Sequence, residues 1–278
     1  MDRGLYTATS GMLVQELRLD YVSNNLANVN TFGFKANAGA VKSFPQLLVH
    51  RLNDTYLKVS GIEGNMDLRP LVGLSTMGAV VDEIATDFQK GDLQTTGETY
   101  DFALDGKGFF VVETPYGERL TRAGNFVLNA NRELVTKEGY RVMGEGGPIV
   151  VDPMRKFSVN EEGMVFYSYD NPETGQIFFD EYVDRFKIVS VDDYKTIQKK
   201  GHNLFMVPRV DTDGRELQQP YVVRDVVVKQ GVLEGSNVNA VVQLRSMIDV
   251  MRIYEANSKV VMTKDTLLGK AASEIGRK

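Results

Sequence analysis

Histidine and cysteine, which supply many of the metal ligands and nucleophiles in proteins, are scarce in this sequence. It contains no cysteine and only two histidines, His50 and His202. The lack of cysteine excludes a disulfide framework, a thiolate nucleophile and a cysteine-ligated metal. Neither histidine lies in a carboxylate-rich segment with ligand spacing, so a multi-histidine metal site is not expected.

Two short segments resemble the beginnings of ligand-binding motifs. The stretch from Gly106 to Gly108 opens like a dinucleotide fingerprint, but it lacks the third glycine and precedes a predicted strand, so we predict a hairpin turn. Asp211 and Asp213 resemble the first carboxylates of a calcium loop. The remaining ligands of that pattern are missing, so we predict a type I turn there.

Two pairs of adjacent carboxylates, Glu161–Glu162 and Asp192–Asp193, are the remaining candidates for acid–base chemistry. Successive side chains of an extended chain point to opposite faces, so we expect these pairs to be solvated. The sequence also has no nucleophile elbow and no P-loop. We therefore predict no catalytic residues, no metal site and no cofactor, and a protein that is not an enzyme.

The composition is that of an ordinary globular chain. The 278 residues are 42% hydrophobic and 25% charged, with a net charge of -5, which gives no general attraction to nucleic acid or anionic membranes. No stretch approaches the roughly 18 apolar residues of a membrane span, and the first residues lack the apolar run of a signal peptide. We expect no nucleic-acid partner, no membrane insertion, and either a cytosolic chain or one exported without a cleaved signal.

The elements that carry the strongest pattern are the two ends of the chain. Near the start, residues spaced alternately by three and four form a heptad seam: Leu5, Ala8, Met12, Gln15, Leu19, Val22, Leu26 and Val29. Further apolar residues lie off this seam, namely Leu13, Val14 and Leu17. The pattern predicts one long helix with apolar side chains on more than a single stripe.

The C-terminal segment shows the same pattern. Its seam comprises Ala240, Leu244, Met247, Met251, Tyr254, Ser258, Val261, Asp265 and Leu268, and Val241, Ile248 and Met262 form a second stripe. Asn237 or Asn239 is the predicted N-cap, because an Asn side chain accepts a hydrogen bond from an unpaired helix N–H.

Between the two helices, short β-branched and aromatic runs alternate with Gly, Asn and Asp turns, which predicts strands. The fold class is therefore mixed α and β, with coiled-coil-forming terminal helices flanking an all-β central domain and an irregular connector. We place a discontinuous helical domain at residues 1–30 and 240–278, the connector at 31–85 and 222–239, and the β-rich outer domain at 86–221.

The terminal helices carry more apolar surface than one mutual contact would bury. A soluble monomer rarely exposes such surface, so further copies or relatives of the chain are the expected cover, although a hairpin packed on its own β domain is an alternative. The hypothesised assembly interface consists of Leu5, Met12, Leu19, Val22, Asn24, Asn25, Leu26, Asn28, Val29, Asn237, Asn239, Leu244, Met247, Ile248, Met251, Tyr254 and Val261.

Three motifs in order resemble one known family. They are SNNLANVNTFGFK near the start, KGDLQTTGETYDFALDGKGFFVV with LTRAGNFVLN in the centre, and GVLEGSNVNAVVQLRSMIDVMRIYEANSKVVM at the end. Together they are similar to the bacterial flagellar rod and hook family of axial proteins. The resemblance is strongest to the proximal rod type, FlgF, in the form found in spirochetes, with the distal rod type, FlgG, second. It rests on VKSFPQLLVHRLNDTYLKVSG and LRPLVGLSTMG in the connector, on TPYGERLTRAGNF, and on the long region 166–221.

The resemblance implies a structural subunit of the basal-body rod, the periplasmic shaft that transmits torque from motor to hook. Its partners would be other copies of itself, other rod proteins and, during secretion, the flagellar type III export apparatus, which takes substrates without a cleaved signal. The alternatives are a distal rod or hook-type protein of the same family, and a soluble binding or carbohydrate-active β domain with a helical stalk.

Four asparagines interrupt the end of the first predicted helix. Asn30, Thr31 and Gly33 suit helix termination and a turn, and Asn is common there because it tolerates left-handed backbone angles. Asn24, Asn25 and Asn28 instead flank the seam, where each amide needs a partner. We predict that they hydrogen-bond to neighbouring subunits or to the Ser236–Asn239 stretch.

Overall fold

A computed structural model describes residues 3–43, 46–50, 56–58, 65–67, 71–76, 78–170, 177–210 and 214–276 of the chain. Two long helices stand at its ends, α1 at Arg3–Ala27 and α2 at Ala240–Ile275. All the described strands lie between them, which confirms the mixed fold class with terminal helices around a β-rich centre. The coiled-coil pairing and the proposed domain boundaries stay predictions.

The strands are short, as expected from a chain punctuated by turn residues. In chain order they are β1 (Asn37–Ser43), β2 (Gln46–His50), β3 (Tyr56–Lys58), β4 (Asn65–Asp67), β5 (Leu71–Thr76), β6 (Ala79–Thr86), β7 (Leu93–Thr95), β8 (Phe102–Asp105), β9 (Phe109–Thr114), β10 (Gly117–Thr121), β11 (Val127–Leu128), β12 (Leu134–Val135), β13 (Arg141–Val142), β14 (Phe157–Val159), β15 (Met164–Asp170), β16 (Ile177–Arg185), β17 (Ile188–Ser190), β18 (Gln198–Lys199), β19 (Leu204–Met206), β20 (Tyr221–Val222), β21 (Val227–Gln230) and β22 (Val232–Glu234).

The chain divides into two compact units. The first comprises residues 1–24, 38–85 and 241–278, and the second comprises residues 25–37 and 86–240. In the first unit, α1 lies against the β1 and β6 segments. A Cβ added at Gly39 would lie 2.7 Å from the Tyr21 ring, so only glycine lets the strand approach the helix this closely.

The second unit is built around a nine-stranded sheet. Its main path runs β11-β12-β13-β9-β10-β19-β18, and β17 pairs with both β9 and β20. Successive side chains of β9 point to opposite faces, so Phe110 and Val112 enter one apolar cluster and Phe109 and Val111 enter another. Because β9 is buried on both faces, the sheet forms a rigid core for the segments that pack around it.

The turn at Gly106–Gly108 differs from the predicted hairpin. It joins β8 to β9, but β8 pairs with β21, while β9 pairs with β10, β13 and β17. The carbonyl oxygens of Leu104 and Gly106 accept hydrogen bonds from Arg122, at 3.4 and 2.7 Å. The turn therefore passes the chain from one sheet to another and serves as a binding point for that guanidinium.

Candidate assembly interface and the joint beside it

The predicted seam of α1 is only partly covered within the chain. Val22 is buried, whereas the seam residues Leu5, Met12, Leu19, Leu26 and Val29 are half-buried. The other buried residues of α1 in the first unit are Ala8, Val14 and Gln15, and the Oε1 atom of Gln15 has no hydrogen-bond partner. Leu13 and Leu17 are 58% and 44% exposed, so one apolar stripe of α1 faces outward.

The helix α2 is far more open. Val250 is its only buried residue. Of the predicted interface residues, Met247 and Val261 are half-buried, and Leu244, Ile248, Met251 and Tyr254 are exposed. Other large apolar side chains exposed on α2 are Val241, Val242, Ile253, Val260, Met262, Leu267, Leu268 and Ile275.

A small residue marks the approach of α1 to α2. A Cβ added at Gly11 would lie 2.9 Å from the Nδ2 atom of Asn257, so the side chain of α2 reaches the backbone of α1 at this position. The half-buried residues of both helices agree with such a contact, but it leaves most of the apolar surface of α2 uncovered.

The end of α1 is shaped by its asparagines. The helix stops at Ala27, and the next amides turn back onto carbonyls three residues earlier, as in the bond from Val29 N to Leu26 O at 3.3 Å. Val29 therefore lies in a turn, so the expectation that the helical seam continues to this residue is wrong. Gly33, rather than an asparagine, takes the left-handed backbone of this turn, with a φ of 68°.

Asn25 and Asn237 satisfy two consecutive backbone amides. The Oδ1 atom of Asn25 accepts the N–H of Asn37, and that of Asn237 accepts the N–H of Ala36, both at 2.8 Å. The Asn25 Nδ2 donates to the Asn37 oxygen at 2.8 Å, and the Asn237 Nδ2 donates to the Asp87 oxygen at 2.8 Å. The two side chains clamp the segment that follows α1.

These bonds correct part of the asparagine hypothesis. Asn25 is 1% exposed and is paired with Asn37, not with a neighbouring subunit or the Ser236–Asn239 stretch. Asn237 is not the N-cap, because its side chain is used elsewhere; α2 begins directly after Asn239. Asn24 is exposed, Asn28 accepts a hydrogen bond from Thr31 Oγ1 at 3.2 Å, and Asn239 is exposed.

Three charged side chains are buried beside this clamp. Lys35, Arg122 and Glu234 are 0%, 7% and 1% exposed. The Lys35 Nζ lies 2.6 Å from Glu234 Oε1, and the Arg122 Nη1 lies 3.3 Å from Glu234 Oε2. We call Lys35, Arg122 and Glu234 the charged triad.

The triad is completed by backbone groups. Lys35 also donates to the Gln89 oxygen at 2.8 Å, and Glu234 Oε1 accepts the Gly91 N–H at 3.1 Å. The Glu234 backbone oxygen accepts the Gly33 N–H at 2.7 Å. Every part of Glu234 that can accept a hydrogen bond is thus engaged, which is what makes burial of a carboxylate tolerable.

Burial dominates the electrostatics of the two cations. Removal from water lowers the pKa of Lys35, and the nearby Glu234 carboxylate opposes this shift. Burial likewise lowers the pKa of Arg122, again opposed by Glu234. The single carboxylate therefore offsets part of the cost of burying two cations.

A second lysine joins the sheet to the same segment. The Lys199 Nζ donates to the Lys35 backbone oxygen and, at 3.1 Å, to Asn37 Oδ1, and it lies 3.8 Å from the centre of the Phe34 ring. Burial lowers the pKa of Lys199 to about 8. Together with the triad and the two asparagines it forms what we call the joint.

Comparison with known proteins identifies the family. Three family models match: the flagella basal body rod protein at residues 5–35, the flagellar hook protein FlgE/F/G D1 domain at 103–167, and the flagellar basal body rod FlgEFG protein C-terminal at 229–274. The flagellar basal-body rod protein FlgG of Borreliella burgdorferi is 32% identical over 285 residues, covering 98% of both chains. FlgF of Caulobacter vibrioides is 32% identical over 280 residues, covering 100% of this chain and 99% of the relative.

The chain belongs to the flagellar basal-body rod protein family.

A third relative carries a different name. The flagellar hook-basal body complex protein FlhO of Bacillus subtilis is 30% identical over 290 residues, covering 100% of both chains. The resemblance drawn from the sequence motifs is thereby confirmed at the level of the family. The family is one of structural rod proteins, and no comparison gives positive evidence for an enzyme.

Each family match in this rod protein contributes one member of the charged triad. Lys35 lies at the end of the first matched segment, Arg122 lies in the second, and Glu234 lies in the third. The joint is thus the place where all three segments meet within the second unit.

Sequence reasoning missed the charged triad and Lys199. Only the position of these residues in the sequence pointed to them. Lys35 is the last residue of the motif TFGFK, and Glu234 lies three residues before Asn237, a predicted interface residue. A single sequence does not show that residues 199 positions apart form an ion pair. Their burial could not be predicted from the sequence either, because Lys and Glu are almost never buried unless they are paired.

The other sequence candidates do not assemble into a site. Glu161 and Glu162 lie exposed in a turn, and Asp193 caps a short 3-10 helix by accepting the Lys195 N–H at 2.9 Å. Asp211 and Asp213 lie outside the described residues. Across the part of the chain that the structure describes, no three His, Asp or Glu side chains cluster as metal ligands, and no helix is long and apolar enough to span a membrane.

Proposed function

We propose that this chain is a structural subunit of the flagellar basal-body rod that polymerises through α1 and α2 and transmits torque. The observation that carries the proposal is the surface of α2, where Leu244, Ile248 and Met251 are 47%, 51% and 49% exposed. Each such side chain contributes about 1.5–3 kcal/mol when it is fully buried, so assembly has a large apolar surface available.

The joint supports this proposal mechanically. The segment after α1 is held by Asn25, Asn237 and the charged triad. A rod subunit that transmits torque would benefit from such bonds, because they resist bending of the chain between residues 25 and 37.

The partners follow from the family. We propose that the chain contacts other copies of itself and other rod proteins in the periplasm, and that the flagellar type III apparatus exports it without cleavage. The intact mass of the subunit recovered from rods should then be that of the whole chain, 31.0 kDa. A shorter mass lacking N-terminal residues would contradict uncleaved export.

Within the family we propose the proximal rod type, FlgF, on the connector sequence, with the distal type, FlgG, as the alternative. Relatives of both types are 32% identical to this chain. Expression of the chain in strains that lack either FlgF or FlgG tests the assignment. Restored motility only in the strain lacking FlgG would assign the distal type.

The test of assembly is the Ile248→Asp variant. Ile248 is exposed in the isolated chain, so the variant should fold, but incorporation into a polymer would bury an unpaired carboxylate. We expect it to be absent from isolated basal bodies while its circular dichroism spectrum is unchanged. Thr263→Asp adds the same charge to an exposed polar position of α2 and should be incorporated. Normal incorporation of Ile248→Asp would overturn the proposed role of α2.

A further inference from the structure

The second unit carries a groove that the joint does not use. It has a volume of about 750 Å³ and lies beside β10 and β17. Its floor consists of side chains from one core cluster, including Val111, Val189 and Phe205. Tyr116, Glu118, Arg119, Lys187, Arg209 and Val222 line its walls, and we call it the basic groove.

The groove exposes a strand edge. β10 pairs with β19 only at Leu120 and Thr121. Across the part of the chain that the structure describes, residues Gly117–Arg119 pair with β9 alone and have no strand on their other side. An unpaired strand edge leaves backbone N–H and C=O groups free to hydrogen-bond a partner, including the carboxylates of an acidic turn.

The charged side chains of the groove indicate what kind of segment it binds. Glu118 pairs with Lys187 at 2.7 Å, and the described residues place no carboxylate in an ion pair with Arg119 or Arg209. The walls therefore carry three cations and one carboxylate, a surplus of two positive charges. With no carboxylate paired to them among the described residues, these two guanidinium groups favour an acidic segment, since each can bind a carboxylate with two parallel hydrogen bonds.

The same chain offers an acidic segment on its opposite face. Glu161 and Glu162 form the exposed turn between β14 and β15, and within the described residues neither has an ion-pair partner. The adjacent Gly163 lies against Ile188, whose neighbour Val189 lines the groove from the other face of β17. The turn and the groove thus lie on opposite faces of the sheet.

We propose that the basic groove binds the Glu161–Glu162 turn of a second copy of this chain. A contact between two different faces is heterologous, so it repeats head to tail and extends along a polymer. The inference rests on the proposed function in the rod and adds a contact between β domains to the contacts of the helices.

A disulfide test suits this chain because it has no cysteine of its own. The full-length Gln219→Cys/Glu161→Cys variant places one thiol at the rim of the groove and one in the acidic turn, where Glu162 stays to bind the groove. On mild oxidation we expect a ladder of covalent dimers and larger species. The matched variant Gln219→Cys/Glu138→Cys, with the second thiol in another exposed turn, should remain monomeric. Equal yields from the two variants would overturn the proposal.

Charge reversal tests the specificity of the same contact. In the Gln219→Cys/Glu161→Cys background, adding Arg119→Glu and Arg209→Glu should reduce the yield by about tenfold or more, because the groove would repel Glu162. The Lys195→Glu/Lys200→Glu control makes the same charge change at exposed residues outside the groove and should leave the yield unchanged. An equal loss in this control would contradict a specific contact.

The outcome is separable from that of the proposed function. If the double-cysteine variant stays monomeric on oxidation but still enters basal bodies, the proposed groove contact is wrong and the rod assignment stands. If the chain cross-links but never enters basal bodies, the groove contact stands and the rod assignment is wrong.

Discussion

The charged triad shows how one buried carboxylate stabilises the joint. Glu234 accepts hydrogen bonds from Lys35, Arg122 and the Gly91 N–H, and its own backbone binds Gly33. Such a cluster is not favourable in proportion to its Coulomb attraction, because desolvation of three charges offsets much of it. Its contribution is structural, because its bonds hold residues 33–35, 91, 122 and 234 together.

We expect Glu234→Gln to destabilise the chain by about 3–5 kcal/mol, because it leaves Lys35 and Arg122 buried without a counter-charge. The free energy of unfolding of the second unit, from urea denaturation followed by tyrosine fluorescence, measures the loss.

Asp105 provides a matched control for that variant. Its carboxylate also binds two cations, Lys90 and Lys229, each at 2.6 Å, but all three side chains are exposed. Exposed pairs contribute only about 0–1 kcal/mol, so Asp105→Asn should be nearly neutral. Equal losses in Asp105→Asn and Glu234→Gln would show that burial does not govern the triad.

Lys199 should make stability depend on alkaline pH. Its folded pKa is about 8, against an ordinary value of 10.5, so the folded chain releases this proton first. Between these two values the unfolded chain binds more protons, and the contribution of Lys199 to the free energy of unfolding therefore rises with pH. Denaturation at a series of pH values from 7 to 10, at constant ionic strength, measures the slope.

The variant Lys199→Met isolates that effect, since it keeps the aliphatic stem and removes the titrating group. Its stability should rise less steeply over the same pH range than that of the unaltered chain. Parallel curves for the two proteins would assign the pH dependence to other groups.

At the scale of elements, periodicity was enough to find both helices but not the faces that they bury. The heptad pattern predicted helices at both ends, and α1 and α2 lie there. Apolar residues surround much of each helix, so spacing alone could not show that Val14, off the seam, is buried while Leu26, on the seam, is half-buried. That choice depends on tertiary contacts.

Turn chemistry was more predictive where a single residue type is required. Gly33 was expected in a turn and lies in one, whereas the Gly106–Gly108 turn was mistaken for a hairpin because strand pairing is a non-local property. The hydrogen bond from the Asn25 side chain to the Asn37 oxygen was hidden for the same reason, because it joins residues 12 positions apart.

We predict that Gly33→Ala disrupts the joint, for two reasons that can be separated. Its φ of 68° disfavours any side chain, and a Cβ would also clash with the backbone of Arg122 and Ala123. Strain at positive φ alone costs about 1–2 kcal/mol, and the backbone clash should add to it. Thermal unfolding of the full chain measures the sum.

Gly139→Ala is the control for strain without a clash. Gly139 has a φ of 89°, and nothing lies within 4 Å of the position its Cβ would take. We expect a loss near the value for strain alone, and a clearly larger loss for Gly33→Ala. Equal losses would mean that the close approach of Gly33 to the sheet is unimportant.

At the scale of the whole molecule, apolar surface is distributed unevenly. The second unit has two buried clusters, with Phe110, Val112 and Phe205 at 0% exposure, whereas α2 buries only Val250. A helix is stabilised mainly by packing of its apolar face, so α2 is expected to open far more readily in the isolated chain than in an assembly.

Hydrogen exchange of the dilute, full-length chain should therefore show strong protection of β9 and rapid exchange along α2, particularly after Val261. Assembly buries the apolar side chains of α2, so in isolated rods the same amides should become protected while β9 changes little. Exchange with mass-spectrometric detection in both states measures the difference. Protection of α2 in the dilute chain as strong as that of β9 would mean that the helix needs no partner, and the exposed apolar surface would then lose its role as the driving force for rod assembly.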